Sequence, residues 1–202
     1  IALVDKTIAI DGSSFTQKIN ISGGGTVPHF DLSDSSWLSF DHIRFEKAAG
    51  GSFTLATGSS IVACQSSWIA NNDVSGEGGA ISLLSNACNA ALYHCDLIGN
   101  SARFSGGAIS ARDNAKLRME KCRLWHNRST QTGTAGGAIY LHESDSELLF
   151  CDLASNIAGN GGGNGGAISF GSDLTSDLYG CTFDDNRASD GAAVSILTSS
   201  AS

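Results

Sequence analysis

The chain has 202 residues, enough for one domain with its own hydrophobic core. It carries 12 basic and 20 acidic residues, a net charge of −8, and no cluster of Lys and Arg, so we expect no nucleic-acid binding. No apolar run approaches the roughly 18 residues of a membrane-spanning helix, so we expect no direct membrane insertion. The 25 glycines, the single proline and the many β-branched residues predict an all-β fold.

The first sixty residues contain short segments in which apolar and polar residues alternate, as in strands that bury one face. These segments are Thr7–Ile10, Lys18–Ile21 and Trp37–Phe40. Phe45–Ala48, followed by a glycine pair, looks like a shortened form of the unit that repeats later in the chain. We interpret residues 1–60 as irregular early coils of the same fold.

A Gly-Gly-Ala-Ile motif then recurs at steps of 28, 30, 29 and 26 residues. Its copies are Gly78–Ile81, Gly106–Ile109, Gly136–Ile139, Gly165–Ile168 and the degenerate Gly191–Val194. A fixed period in this range is typical of a repeat protein. Residues 61–197 are therefore predicted to form regular coils.

A second motif, an apolar residue followed three positions later by Asn, precedes each glycine pair. Its asparagines are Asn71, Asn100, Asn127, Asn156 and Asn186. A cysteine stands two residues before the apolar residue in four copies: Cys95, Cys122, Cys151 and Cys181. The first copy has Ser66 there, and its cysteine, Cys64, lies two residues earlier.

Period-two alternation in the Gly-Gly-Ala-Ile strand predicts one buried row: Ile81, Ile109, Ile139, Ile168 and Val194. The residues that follow them are predicted to face water: Ser82, Ser110, Tyr140, Ser169 and Ser195. A unit of this size cannot bury its apolar face alone, but stacked copies can pair their strands in parallel, with right-handed crossovers. We therefore predict an all-β, right-handed parallel β-helix (β-solenoid) of about seven coils of roughly 29 residues. Residues 1–202 would form a single domain, and we expect them to be an excerpt of a longer chain.

The asparagines are predicted to form a corner ladder that bonds the backbone of neighbouring coils. The cysteines are predicted to form a row of small buried thiols. Disulfides between neighbouring coils remain an alternative, because a coil spacing of about 4.8 Å lies within the Cα separation that a disulfide allows.

Gly-Gly-Ala-Ile combined with Phe-x-x-Asn resembles the polymorphic outer-membrane protein repeat of autotransporter adhesins. Phe183–Asn186 matches the second motif outright, whereas the other copies have Trp or Leu in place of Phe. The resemblance covers residues 61–197 best. It implies a right-handed β-helix that projects from a cell surface and binds host or neighbouring cells.

We predict no metal and no cofactor. The chain has no Cys-x-x-Cys motif, and its five histidines occupy no shared position in the repeat. Gly161–Gly166 matches Gly-x-Gly-x-x-Gly, but it precedes a strand rather than a helix, so no helix N-terminus could hold a pyrophosphate.

Two groups of acids could serve a carbohydrate-active enzyme: Asp184, Asp185 and Asp190, and Glu143, Asp145 and Glu147. Neither group recurs with a Lys or Arg in a defined arrangement, so solvated loop acids are the favoured interpretation. A flat ice-binding array is disfavoured because Tyr140 interrupts the serine row.

The favoured function is that of a non-catalytic extracellular β-helix, which acts as the stalk of a cell-surface adhesin or as a structural subunit of a surface filament. Its partners would be other protein subunits or cell-surface molecules, glycans among them. The alternative is a carbohydrate-active β-helix enzyme, a polysaccharide lyase or hydrolase. Asn20 begins a glycosylation sequon and is the candidate acceptor.

Overall fold

The computed structural model describes residues 1–196 apart from residues 15, 17, 26, 27, 57, 64–66, 86, 160, 161, 173 and 174. This part of the chain contains strands and turns but no helix. Every described strand pair is parallel, and the chain winds as the right-handed parallel β-solenoid that the repeat predicted. The coils build three long sheets and a short fourth one.

Sheet 1 has eight strands and contains the Gly-Gly-Ala-Ile segments. Its strands are β1 (Ala2–Val4), β4 (Phe30–Ser33), β7 (Phe53–Leu55), β11 (Ile81–Leu83), β15 (Ile109–Arg112), β19 (Ile139–His142), β23 (Ile168–Phe170) and β26 (Val194–Ile196). The strands of sheet 2 are β2 (Thr7–Asp11), β5 (Trp37–Asp41), β8 (Ser60–Ala63), β12 (Asn89–Tyr93), β16 (Lys116–Glu120), β20 (Asp145–Leu149) and β24 (Ser176–Tyr179).

Sheet 3 follows sheet 2 in each coil. Its strands are β3 (Ile19–Ser22), β6 (Ile43–Glu46), β9 (Trp68–Ala70), β13 (Asp96–Ile98), β17 (Arg123–Trp125), β21 (Asp152–Ala154) and β25 (Thr182–Asp184). Sheet 4 lies beyond the next corner and has four short strands: β10 (Asp73–Val74), β14 (Ser101–Ala102), β18 (Arg128–Ser129) and β22 (Ile157–Ala158).

The coils between residues 19 and 68 are shorter than the others. Phe30 pairs with Phe53, a step of 23 residues, whereas Ala2 pairs with Asp31, a step of 29, and Phe53 with Ile81, a step of 28. Sheets 2 and 3 each have seven strands, and hence six coil-to-coil steps. The predicted repeat of roughly 29 residues therefore describes the regular coils, and the shorter coils follow the same path with fewer residues.

Aromatic side chains fill the core of these short coils. Phe30, Phe40, Phe45 and Phe53 are all buried. Phe30 stacks on Phe53 with 5.9 Å between ring centroids, and Phe40 meets Phe45 edge to face at 4.8 Å. Such pairs stabilise a core beyond the area that they bury. Ile, Leu and Ala predominate in the core of the later coils.

The last residue of each Gly-Gly-Ala-Ile segment lies in one row on the inner face of sheet 1. The register joins, in order, Ile81, Ile109, Ile139, Ile168 and Val194. The four isoleucines are fully buried, and the valine is partly buried against the core. Neighbours in the row are about 4.8 Å apart, the spacing of paired strands.

The next residue along each strand was predicted to face water, and that prediction is wrong. The four serines of this row are at most 9 % exposed and the tyrosine is half-buried: Ser82, Ser110, Tyr140, Ser169 and Ser195. The chain before the strand covers them, since Glu77 accepts hydrogen bonds from Ser82 at its carbonyl, 2.6 Å, and from Ser110 at its carboxylate, 2.9 Å. The approach is so close that a Cβ on Gly106 would lie 2.1 Å from the Ile109 carbonyl oxygen.

An asparagine ladder closes the corner between sheets 3 and 4. Asn127 Nδ2 donates to the Leu97 carbonyl of the preceding coil at 2.9 Å, and its Oδ1 accepts from the backbone N and Nδ2 of Asn100 at 3.0 and 3.1 Å. The same bonds recur along the buried row of Asn72, Asn100, Asn127, Asn156 and Asn186. Each side chain thereby satisfies buried backbone groups that the turn leaves without a sheet partner.

The prediction of Asn71 as the first ladder residue is wrong by one position, and Asn72 holds that place. Ile69 pairs with Leu97, so Ile69 rather than Trp68 is the core residue of this copy. Asn71 is exposed and has a φ of 53°. The same left-handed position is held in later coils by Gly99, His126, Ser155 and Asp185. The left-handed residue of this corner therefore precedes the ladder residue.

This corner gives a test with neighbouring variants. Asn72→Ala removes the acceptor of the Ala48 backbone N, at 2.8 Å, and the donor to Asn100. Leaving such buried groups without partners is expected to lower the free energy of unfolding by about 1–3 kcal/mol. Asn71→Gly is the control, because glycine adopts a left-handed φ without strain. Urea unfolding measures both variants, and an equal loss in the two would contradict the ladder.

His29 is a buried titratable group in the aromatic core. It is 5 % exposed, its Nδ1 lies 3.0 Å from Ser52 Oγ, and its ring centroid lies 5.4 Å from that of Phe45. Burial lowers the pKa of His29, because the imidazolium loses its hydration in this environment. Folding therefore selects the neutral ring.

The sign of this shift predicts a loss of stability in acid. Since the pKa is lower in the folded than in the unfolded chain, stability is greatest above the unfolded value of about 6.5 and falls as pH drops below it. His29→Gln should reduce the difference in free energy of unfolding between pH 7.5 and 5.5. His126→Asn, at an exposed corner, should leave that difference unchanged. Chemical denaturation at both pH values measures the free energy of unfolding, and an unaltered pH dependence in His29→Gln would contradict the prediction.

Candidate functional site

The predicted cysteines lie in one row at the corner between sheets 2 and 3. Cys95, Cys122 and Cys151 are buried, and Cys181, in the last coil, is half-buried. The thiol of Cys122 donates to the Leu92 carbonyl of the preceding coil at 3.3 Å. All five cysteines among the described residues are reduced thiols. The row is therefore a set of small core side chains, and the disulfide alternative is not observed in it.

In the first repeat, the residue at this corner is not the one that the comparison of the repeats in the sequence indicated. The predicted Ser66 and Cys64 lie outside the described residues. Ser67 precedes Trp68, which pairs with Asp96, so Ser67 holds the place that Cys95 holds one coil later. It is fully buried, and its hydroxyl accepts from the Ile43 backbone N at 3.4 Å.

The chemistry of the row is that of inert thiols. For Cys122, a hydrogen bond with Cys151 lowers the pKa, but a hydrogen bond with Cys95 and burial outweigh it and raise the pKa to about 12. A hydrogen bond with Cys122 and burial also raise the pKa of Cys151. Burial raises the pKa of Cys181. A catalytic or metal-binding cysteine needs the opposite shift, because the thiolate is the reactive form.

A trough of about 650 Å³ crosses the outer face of sheet 2. One outward row runs through Trp37, Ser60, Asn89, Lys116 and Asp145, and its neighbour runs through Ala91, Arg118, Glu147 and Asp177. Ser60, Asn89 and Ala91 are small and leave a depression between the bulkier side chains on either side. We call this depression, with its charged C-terminal part, the sheet 2 trough.

The two ends of the sheet 2 trough differ in chemistry. Trp37, at one end, is 46 % exposed and offers an uncovered aromatic surface. Toward the other end, Arg118 Nε lies 3.1 Å from Glu147 Oε2, and both side chains are about half exposed. Lys116 stands in register with Asp145. The trough thus combines a stacking surface with exposed donors and acceptors of both charge signs.

A second concave site lies on the corner between sheets 2 and 3, and we call it the basic corner. Its volume is about 390 Å³, and it is lined by Lys18, Trp68, His94, Asp96, Lys121 and Arg123. Arg44 lies next to it, against the Trp68 ring. Lys18 Nζ and Arg44 Cζ lie 4.6 and 4.9 Å from the Trp68 ring centroid. Arg123 donates to both carboxylate oxygens of Asp96.

The comparison of the repeats in the sequence did not identify the basic corner. His94 and Lys121 both stand one residue before a cysteine of the row, in left-handed conformation, and His42 has the same conformation one residue before Ile43. This position is shared, contrary to the expectation that the histidines occupy no common place in the repeat. A residue-by-residue register of the early coils is needed to find it, because those coils lack the cysteine.

The acids considered for catalysis do not form one cluster. Asp184 is exposed at the end of β25, and Asp185 lies at the next corner with its carboxylate 3.0 Å from Arg187. Asp190 pairs with Asn164 beyond the short strands. In the second group, Asp145 and Glu147 do share a face, since both point outward from β20 into the sheet 2 trough. Glu143 lies in the turn before that strand.

Asn20, the predicted glycosylation site, lies in β3 and is exposed. Its Nδ2 donates to Glu46 Oε1 at 2.9 Å. This bond is the largest cause that lowers the pKa of Glu46. Within the described part of the chain, no three His, Cys, Asp or Glu side chains are grouped as metal ligands would be, and no helix there could span a membrane.

The cysteine row predicts selective protection from alkylation. At pH 8, iodoacetamide should leave Cys122 and Cys151 of the native protein unmodified, because the thiolate is the nucleophile and both thiols are buried with raised pKa values. Cys181 should react sooner. Peptide mapping by mass spectrometry before and after denaturation without reductant follows each site. Labelling of Cys122 as fast as Cys181, or failure of either to react after unfolding, would contradict the row of inert thiols.

The comparison with protein families agrees with the parallel fold described above. A family model described as "Right handed beta helix region" matches residues 28–202. No curated protein and no solved structure gives a significant match. Because the model covers most of the sequence, the chain belongs to the right-handed β-helix family.

Proposed function

We propose that this chain is a non-catalytic extracellular β-helix, the stalk of a cell-surface adhesin or a structural subunit of a surface filament. The observation that carries the proposal is that each coil uses one set of residues for folding and another for its outer surface. The positions that recur with the period, namely the isoleucine, asparagine and cysteine rows, are buried and serve folding. What varies from coil to coil faces outward, so recognition falls to the variable residues.

The sheet 2 trough is the surface that we assign to attachment. Exposed aromatic side chains provide contact area at low conformational cost, and Trp37 is such a residue. Asn89 adds an amide, and Lys116 and Arg118 add donors that reach solvent. This mixture suits the polar groups and flat faces of a surface protein or a glycan. The resemblance of the repeats to the polymorphic outer-membrane protein family supports the same role.

The alternative, a carbohydrate-active enzyme, rests on Asp145 and Glu147. Both side chains point outward from the same face of β20, two residues apart, and glycosidases likewise use a pair of carboxyl groups. Against this, Glu147 is paired with Arg118.

The proposal is tested by the adherence of beads that display the chain, to cultured cells and to beads of the same kind. Trp37→Ala combined with Arg118→Ala should weaken adherence about tenfold, as expected when an aromatic and an Arg anchor are both lost. Phe104→Ala, a partly exposed aromatic outside the trough, is the control and should adhere normally.

The same preparations test the enzyme alternative. The unmodified chain should cleave no polysaccharide. Cleavage of a polysaccharide by the unmodified chain, abolished by Asp145→Asn combined with Glu147→Gln, would contradict the proposal.

A further inference from the structure

The basic corner concentrates positive charge in a chain with a net charge of −8. Of the 12 basic residues in the chain, four meet here, namely Lys18, Arg44, Lys121 and Arg123, together with His94. Like charges repel, so this arrangement is unfavourable unless anions offset it. Asp152 lies beside Arg123 in sheet 3, and three further carboxylates on this surface are Asp96, Glu46 and Glu120.

These three carboxylates are already engaged. Asp96 is held by both nitrogens of the Arg123 fork, and Glu46 accepts from Arg44 at 2.8 Å. Glu120 lies 3.6 Å from Lys121, a loose and partly exposed pair. No ion pair among the described residues includes Lys18. Of the described residues that line the cavity, three are basic, Lys18, Lys121 and Arg123, and one is acidic, Asp96.

Lys18 is a partly buried cation whose surroundings disfavour its positive charge. Burial lowers its pKa, and the positive charges of Arg123 and Arg44 lower it further, whereas Asp96 and Cys95 oppose the shift. Its ammonium lies over the Trp68 ring at 4.6 Å and lines the cavity that His94 and Lys121 also line. The attraction of an anion in that cavity would offset both the desolvation of the Lys18 ammonium and its repulsion by the arginines.

The geometry points to a binding site for a tetrahedral oxyanion, a sulfate or phosphate monoester, at the basic corner. Lysine ammonium groups bind such groups as point charges, whereas a planar carboxylate is best bound by the fork of an arginine. Here the fork of Arg123 is occupied by Asp96, and the groups left facing the cavity are Lys18, Lys121 and His94.

This site is on a different face from the sheet 2 trough, and it holds whether or not the trough attaches the chain to cells. The ester could belong to a sulfated glycan or to a phosphorylated molecule, because both present the same three oxygens. Isothermal titration with inorganic sulfate, inorganic phosphate, a sulfated disaccharide, its desulfated form and a sugar phosphate separates these sources.

The variants are Lys18→Ala and Lys121→Ala, with Lys6→Ala as the control. Lys6 is exposed and outside the cluster, so its replacement makes the same change in net charge. Each cluster variant should weaken binding of the favoured ester at least about tenfold, the effect of losing one charge-assisted hydrogen bond. The control should bind as the unmodified chain does, and urea unfolding establishes that all three variants are folded.

Three outcomes would overturn the inference. The unmodified chain could bind none of the anions, the desulfated and sulfated disaccharides could bind equally, or Lys6→Ala could lose as much affinity as Lys18→Ala. Preference for the sulfated disaccharide over the sugar phosphate, or the reverse, supports the site and assigns the source of the ester.

Discussion

Parallel pairing between successive coils is the constraint on which the rest of this structure depends. Each strand hydrogen-bonds the equivalent strand of the next coil at about 4.8 Å, so a residue always lies beside its own counterpart. A side chain that fits one coil must therefore fit its neighbours. At corners, where no strand continues, the backbone still needs partners. The amide of Asn127 bonds backbone groups of the preceding coil, and the amide of Asn156 accepts from the Asn127 backbone N.

The inside of the solenoid is repetitive for this reason, whereas the outside is free to vary. The inward row of sheet 1 keeps Ile81, Ile109 and Ile139, yet the outward rows of sheet 2 change from Trp37 to Lys116 and Asp145 within a few coils. A run of small outward residues between large ones produces the sheet 2 trough. Concave surface thus arises without any loop or insertion.

Charge follows the same logic. In sheet 3 the outward row passes through Trp68, Asp96, Arg123 and Asp152, so opposite charges lie beside each other across the strands. Arg123 forms an ion pair with Asp96 in that row, and Asp152 follows it. At the adjacent corner the left-handed position carries His94 and Lys121 in successive coils, and no acid interrupts them. The basic corner forms where the outward row of sheet 3, in which the charges alternate, adjoins the corner row, which carries His94 and Lys121.

The sequence by itself determined the solenoid, the isoleucine row and most of the asparagine and cysteine rows, because burial and parallel stacking force those residues to recur at a readable period. It did not determine which residues of the first repeat occupy the core and ladder positions. Trp68 and Ile69 both fit the apolar position, and only the pairing of Ile69 with Leu97 placed Asn72, not Asn71, in the ladder. It also did not determine that Ser110 is buried, since alternation reports the two faces of a strand but not what covers the outer one. The trough and the basic corner were decided by tertiary structure alone, because Lys18 and Lys121 are brought together by stacking across several coils and share no local motif.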